Sequence, residues 1–352
     1  MTRSTAPLSA AGRLEFAAAA RARVGVKFRH QGRSATHLDC IGLMVAGPLS
    51  AQAIGTTGVE RDLPGNSSWR LAYDNDFFTA TDRYFTQGIA LEVTSPRLGR
   101  LPLMRALLVR RGTLARHSIV FEDDGYTASD LKAPQILSGD HPYAGTKQLR
   151  LQAIATDTLR RLRVSSSLNV GIIGQGAGGA AIQTFIHRRT GNTIPQGWGN
   201  QIRNDVILNY EAGVEREVYR AGRRLLITGV GIARVGTYNT AITAGPTLMV
   251  GAVGTPFRAG APSRRAFYLF AKPQVNVVGY DATLQGGLFN RSSPYTITNA
   301  DLSRVVYRQQ VGAVYRSGSL FLEYSQSYAS PEFRGARAHR SGGFQVGVIR
   351  MR

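Results

Sequence analysis

The chain has 352 residues, enough to bury a core or to close a barrel, and one or two domains fit this length. Lys and Arg total 43 against 22 Asp and Glu, and the formal charge of +21 suits an anionic partner or reflects a generally basic proteome. No DNA- or RNA-binding signature accompanies that charge, so we expect no nucleic acid partner, and the single cysteine, Cys40, excludes an intramolecular disulfide.

Residues 1–66 are predicted to be a leader. Within it, residues 41–53 (IGLMVAGPLSAQA) combine a short apolar core with a small-x-small pattern ending at Ala53, as an export signal does. Basic residues precede this core, but the upstream part is far longer than in an ordinary signal, and it contains Asp39.

The upstream part also resembles the opening of an NlpC-type cell-wall cysteine peptidase. The matching residues are 22–33 (ARVGVKFRHQGR) and 39–43 (DCIGL), and in that family the Cys after Asp is the nucleophile. A nucleophilic thiol requires a base positioned by a fold, and the expected strands with a His do not follow. A vestigial fusion, a start site placed too early and a chance match all stay open, and Cys40 is not predicted to be catalytic.

Residues 67–352 are predicted to form an all-β, 12-stranded antiparallel barrel in the outer membrane. Period-2 alternation is the signature of a strand, and many alternating segments reach the roughly ten residues that a tilted strand needs to cross a bilayer. An even number of strands with an export signal fits an outer-membrane barrel. The predicted strands are 68–74, 88–94, 117–122, 147–155, 161–173, 205–217, 224–235, 241–253, 266–278, 305–315, 319–328 and 343–350.

A soluble β-sandwich or lipocalin-like barrel is the alternative architecture. Small residues dominate one face of several strands, which makes a tightly filled two-sheet core hard to build. Aromatic residues also occur near strand ends, where a membrane barrel would carry interfacial girdles. They include Tyr73, Tyr84, Phe85, Tyr315, Phe321 and Tyr328.

Two segments carry candidate chemistry. The turn after the first strand contains Asn75, Asp76 and Asp82, which are oxygen ligands of the kind that hard cations prefer, or form an ordinary polar turn. Residues 176–189 (GAGGAAIQTFIHRR) are predicted to form a short loop helix that ends at a Gly191 C-cap. On it Gln183 and His187 are four residues apart and share a face.

Three motifs together resemble the outer-membrane lipid A 3-O-deacylase family. They are DNDFFTATDRYFTQG, DHPYAGT and IQTFIHRRTGNTIPQGWGNQIRND, in the expected order, and the resemblance runs from about Ser68 to the C-terminus. It implies a twelve-stranded barrel whose active site lies between the wall and an extracellular-loop helix. The implied reaction is calcium-dependent hydrolysis of the 3-linked ester of lipid A, so the implied partners are lipopolysaccharide and the outer membrane.

The resemblance also assigns roles to individual residues. Asp76 matches the Ca²⁺ ligand, and Asn75 completes the Asn-Asp pair. Thr86 matches the threonine beside the oxyanion site, His187 the general base that activates water, and Gln183 the glutamine one turn earlier. Lys132 lies in a loop where basic residues could meet a lipid A phosphate. Thr193 stands where some members have an acidic residue that would orient or tune the histidine.

Two other functions stay open from the sequence. One is a structural or passive barrel that has lost its chemistry, as the departure at Thr193 would allow. The other is a cell-wall peptidase that acts through Cys40. The discriminating feature is whether the Asn-Asp pair, Thr86 and His187 converge at one end of the barrel.

Overall fold

A computed structural model describes residues 67–79, 83–107, 114–254, 256–257 and 265–350. The predicted leader, with Cys40 and the signal-like segment, lies outside these residues, as does Asp82. The division of the chain at residue 66 therefore remains a prediction. Among the described residues, no helix has both the length and the apolar character needed to cross a membrane.

Twelve antiparallel strands form a single closed barrel, which confirms the predicted fold class. Each strand pairs with its neighbours in the sequence, and the first strand pairs with the last, so the sheet closes on itself. The strands are β1 (Ser68–Asn75), β2 (Tyr84–Thr94), β3 (Leu114–Thr127), β4 (Ala144–Asp157), β5 (Leu162–Ile173), β6 (Asp205–Ala221), β7 (Leu225–Gly236), β8 (Asn239–Ala252), β9 (Arg265–Asp281), β10 (Val305–Ser317), β11 (Leu320–Ala329) and β12 (His339–Ile349).

Side chains alternate between the interior and the outer wall, as the pleat of a strand requires. In β1, Trp69 and Leu71 are exposed on the outer wall, whereas Arg70 and Ala72 are buried inside. Apolar residues facing outward and polar residues facing inward are typical of barrels in a membrane. The exposed wall includes Leu91, Phe121, Leu149, Val170, Val206, Phe267, Leu269, Val305 and Phe344.

The interior is held together by buried ion pairs. Arg70 and Arg116 both contact Glu92, and each of these side chains is largely excluded from solvent. Removing one partner of such a pair would leave an uncompensated buried charge. Some of the arginines that make the chain basic therefore serve the fold. Further interior pairs join Arg150 to Glu122, Arg163 to Glu215 and Arg234 to Glu211.

The two ends of the barrel differ in loop length. Residues 128–143, 174–204 and 282–304 form long loops at one end. The other end has tight turns at 158–161, 222–224 and 318–319, together with longer connections between β2 and β3 and between β8 and β9. Long extracellular loops and short periplasmic turns have this distribution in outer-membrane barrels. The long-loop end carries two helices, α2 (Gly179–Thr190) and α3 (Ala282–Gln285), and a further helix, α1 (Pro102–Ala106), lies at the opposite end.

Two expectations from the sequence need correction. Strand β2 begins at Tyr84 and not at residue 88, and β3 continues to Thr127, five residues beyond the predicted end. The predicted interfacial role is wrong for Tyr84, Phe85 and Phe321, which are almost fully buried in interior clusters. Tyr315, by contrast, is 45% exposed, as an interfacial residue would be.

Candidate functional site

The predicted metal-site residues lie where β1 ends, at the long-loop end of the barrel. Asn75 is the last residue of β1, and Asp76 opens a short 3-10 helix. Both side chains are buried. The Asp76 carboxylate accepts a hydrogen bond from the backbone N–H of Arg83 at 2.5 Å, and Asn75 Nδ2 donates to the Tyr73 hydroxyl at 3.0 Å. The turn that leads into β2 therefore holds the carboxylate in place.

Strand alternation places this site on the outer wall. The carboxylate of Asp74 lines a polar cavity inside the barrel. Asn75 and Tyr73, its neighbours on either side, therefore face outward, on the same face as the exposed Leu71. Asn75, the part of the candidate site that belongs to the strand, therefore lies on the outer face of the wall.

A β-bulge changes which face of the barrel wall the side chains at the start of β2 point to. Phe85 pairs with Tyr126 and Gln87 pairs with Gly125, so that Thr86 is an extra residue in β2. The Phe85 and Tyr126 rings pack inside the barrel, 5.5 Å apart. Because a bulge adds one residue to the alternation, the side chains of both Thr86 and Gln87 face the outer wall.

Helix α2 covers this part of the wall, and glycines determine how it does so. The predicted C-cap is confirmed: Gly178 precedes the helix and Gly191 follows it, with φ of 78° and 72°, a region in which glycine is favoured. A Cβ on Gly179 would lie only 3.1 Å from the Cα of Gly145 in β4. This glycine pair lets the helix rest directly on the strand.

A chain of hydrogen bonds joins α2 to the bulge. Trp198 Nε1 donates to Gln183 Oε1 at 2.8 Å, and Gln183 Nε2 donates to Thr86 Oγ1 at 3.1 Å. The Thr86 hydroxyl in turn donates to the carbonyl oxygen of Gly125 at 3.3 Å. Trp198, Gln183 and Thr86 are all buried, so each bond is protected from water. The structure thus brings Gln183 and Thr86 into direct contact.

His187 lies one turn after Gln183, on the same buried face of α2. Its Nδ1 is 2.6 Å from the backbone carbonyl oxygen of Thr193. A carbonyl oxygen can only accept, so Nδ1 is the donor in this contact, and in the neutral imidazole Nε2 is then the acceptor. The position that lacks an acidic side chain therefore still orients the imidazole, through its main chain.

Lys132 is exposed on the loop between β3 and β4, at the same end of the barrel. Its backbone N–H donates to Asp130 at 2.9 Å. The carbonyl oxygen of the preceding residue, Leu131, accepts from the backbone N–H of Gln196 at 2.8 Å. The loop that carries Lys132 is therefore attached to the segment that follows α2.

The oxygen donors at the end of β1 fit a hard cation in chemical type. Asp76 offers a carboxylate and Asn75 an amide, and Ca²⁺ prefers such ligands together with carbonyls and water. Across the described ranges there is no group of three or more Asp, Glu, His or Cys residues that could hold a metal ion. A single carboxylate would thus need carbonyl, water or substrate oxygens to complete the coordination.

A family model described as "Outer membrane protein LpxR" matches residues 39–350. The chain belongs to the LpxR family. Its fold is similar to that of "LpxR from Salmonella typhimurium", with a TM-score of 0.63 and 19% identity over 80% of this chain and 99% of that one. A "Bacterial polysaccharide outer membrane secretin" matches with a TM-score of 0.35 and 9% identity, over 83% of this chain and 100% of that one. No curated protein matches the chain by sequence.

Membership in the LpxR family confirms the resemblance to outer-membrane lipid A 3-O-deacylases and the location in the outer membrane. This LpxR-family barrel contains two site contacts that have no signature in the sequence. One is the indole N–H of Trp198, which donates to the side-chain oxygen of Gln183. The other is the main-chain carbonyl of Thr193.

His141 lies in the same loop as Lys132, between β3 and β4. It is buried and stacked on the ring of Tyr126, with centroids 5.5 Å apart and an interplanar angle of 6°. Burial lowers the pKa of His141. These contacts favour a neutral histidine that packs the loop onto the barrel.

Proposed function

We propose that this LpxR-family protein hydrolyses the ester that joins an acyl chain to the 3-position of lipid A. The observation that carries the proposal is the buried chain from Trp198 through Gln183 to Thr86, which seats α2 on the outer wall. It joins the helix that bears His187 to the strand next to Asn75 and Asp76. A site on that wall suits a substrate that resides in the membrane.

In the proposed reaction, Nε2 of His187 takes a proton from water. The water oxygen bonds to the ester carbonyl carbon, and the carbonyl π electrons move onto the carbonyl oxygen. Collapse of this intermediate re-forms the carbonyl and breaks the bond to the sugar oxygen, which takes the proton from His187. The products are a free fatty acid and a 3-hydroxyl on the sugar. Thr193 holds the imidazole so that Nε2 faces the water.

Asp76 and Asn75 would hold the calcium ion. Bound Ca²⁺ supplies Lewis-acid polarisation of the ester carbonyl. Thr86 and Gln183 would fix the position of α2 against the wall, so that the imidazole keeps its place. Lys132 would meet a lipid A phosphate at the rim, where its ammonium group acts as a point charge.

The test is mass spectrometry of lipid A from cells that express the protein. The unmutated protein should remove the 3-linked acyl chain, and His187→Ala and Asp76→Asn should not, while all assemble as barrels. His117→Ala is the matched control, because His117 lies in β3 near the opposite end. Chelation of the purified protein should abolish the activity, and added Ca²⁺ should restore it. Unchanged lipid A with the unmutated protein would leave the passive structural barrel as the explanation.

A further inference from the structure

Gln87 is a buried amide that no hydrogen bond satisfies. Its side chain is 1% exposed, and within the described part of the chain neither Nε2 nor Oε1 has a hydrogen-bond partner. Buried polar groups are normally paired, because a lost hydrogen bond to water is not otherwise recovered. An unpaired amide at this position therefore calls for a functional explanation.

The amide lies beside the contact between the barrel and α2. A Cβ on Gly125 would be 3.0 Å from Cγ of Gln87 and 3.5 Å from its Nε2, so the side chain extends across this glycine. Gly125 is also the residue whose carbonyl accepts the Thr86 hydroxyl. The bulge places Gln87 and Thr86 on the same outer face. Gln87 thus adjoins the bond that ties Gln183 to the wall.

The hydroxyl of Thr86 already donates one hydrogen bond and accepts another. It has one proton, which it donates to Gly125, and it accepts the hydrogen bond from Gln183. It has no second proton for an ester oxygen. The adjacent Gln87 amide has two N–H groups that bind nothing else in the described part of the chain.

We propose that Gln87 is a catalytic residue whose side-chain N–H donates to the ester carbonyl oxygen as negative charge develops there. Thr86 is then a positioning residue, which acts through Gln183 and α2. No bond to Gln87 forms or breaks, and both protons stay on Nε2. This inference rests on the proposed function, to which it adds a donor for the oxyanion.

Gln87→Met tests the inference, because Met has a similar length but no donor. Loss of one oxyanion donor lowers kcat by about 100-fold or more, and we expect a loss of this order with little change in KM. The urea midpoint of unfolding in lipid vesicles should stay the same or rise, since the variant removes an unsatisfied amide.

Gln148→Met is the matched control. Gln148 is also buried, two strands further along in β4, but it lines the interior cavity and its Oε1 accepts from Asn169 at 3.4 Å. The Gln148→Met variant should have a lower urea midpoint of unfolding and an unchanged kcat.

If Gln87→Met keeps the kcat of the unmutated protein, the inference is overturned and the proposed function is not affected. The inference is also overturned if Gln87→Met lowers the urea midpoint as much as Gln148→Met does. If the unmutated protein is inactive, that result contradicts the proposed function instead. The urea midpoints of Gln87→Met and Gln148→Met would then decide whether Gln87 is a structural residue.

Discussion

Replacing Trp198 with Phe tests whether the hydrogen-bond chain seats α2. Phe keeps an aromatic ring against Tyr143, which now lies 5.1 Å from the indole at 68°. It lacks the donor of the 2.8 Å bond to Gln183. Because Gln183 is buried, its amide oxygen would lose this partner without gaining water, which costs about 1–3 kcal/mol. That free energy would raise the population of undocked helix by about 5- to 150-fold.

Two measurements report whether α2 is docked on the barrel wall. The initial rate of 3-O-deacylation, read by mass spectrometry, should fall in Trp198→Phe, and trypsin should cleave faster after the exposed Arg188 and Arg189 of α2. Trp69→Phe is the control, because the other tryptophan of the chain is 45% exposed on the outer wall and should affect neither. If Trp198→Phe keeps both the rate and the trypsin resistance, the bond to Gln183 does not seat the helix.

Three further predictions concern the surroundings of the site. Thr193→Ala should leave the deacylation rate unchanged, because His187 is held by a main-chain oxygen; a large loss would show that the hydroxyl matters. Gly179→Ala would put a Cβ 2.9 Å from the buried indole ring, an overpacking that costs about 1–3 kcal/mol, and should slow deacylation, whereas Gly199→Ala meets nothing within 4 Å and should not. Since burial lowers the pKa of His141, packing of the β3–β4 loop should be complete above about pH 6.5 and weaken as pH falls toward the lowered value. Limited proteolysis between pH 8 and 5 measures this, and His141→Asn should remove the dependence.

Strand alternation predicts the barrel well because the wall has two different environments. Where one face meets lipid and the other meets the polar interior, apolar and polar residues alternate along the strand. For β5 the predicted range therefore differs from the observed one by a single residue. At the site the predicted β2 begins four residues late and the predicted β3 ends five residues early. Residues 84–87 and 123–127, which the predictions miss, are mostly buried. There α2 covers the outer wall, so the environments of the two faces become alike and the alternation disappears.

The candidate site is less visible in the sequence because it joins distant segments. Thr86 and Gln183 are 97 residues apart, and no spacing rule brings them together. The resemblance to a family identified both, but their contact depends on the closed order of strands and on the bulge. A main-chain acceptor such as the carbonyl of Thr193 cannot be predicted from residue type, because every residue has one.

The outer face of α2 explains how a polar site can exist on a wall that faces lipid. Hydrocarbon offers no hydrogen bonds, so Thr86, Gln87 and Gln183 require a cover that excludes it. The outer face of the helix carries Phe185, which is 60% exposed, with the Arg189 guanidinium 5.4 Å from its ring centroid. An apolar ring with a cation beside it suits the boundary between lipid tails and anionic headgroups. The same helix can therefore shield the polar groups and bring His187 to a substrate whose acyl chain stays in the bilayer.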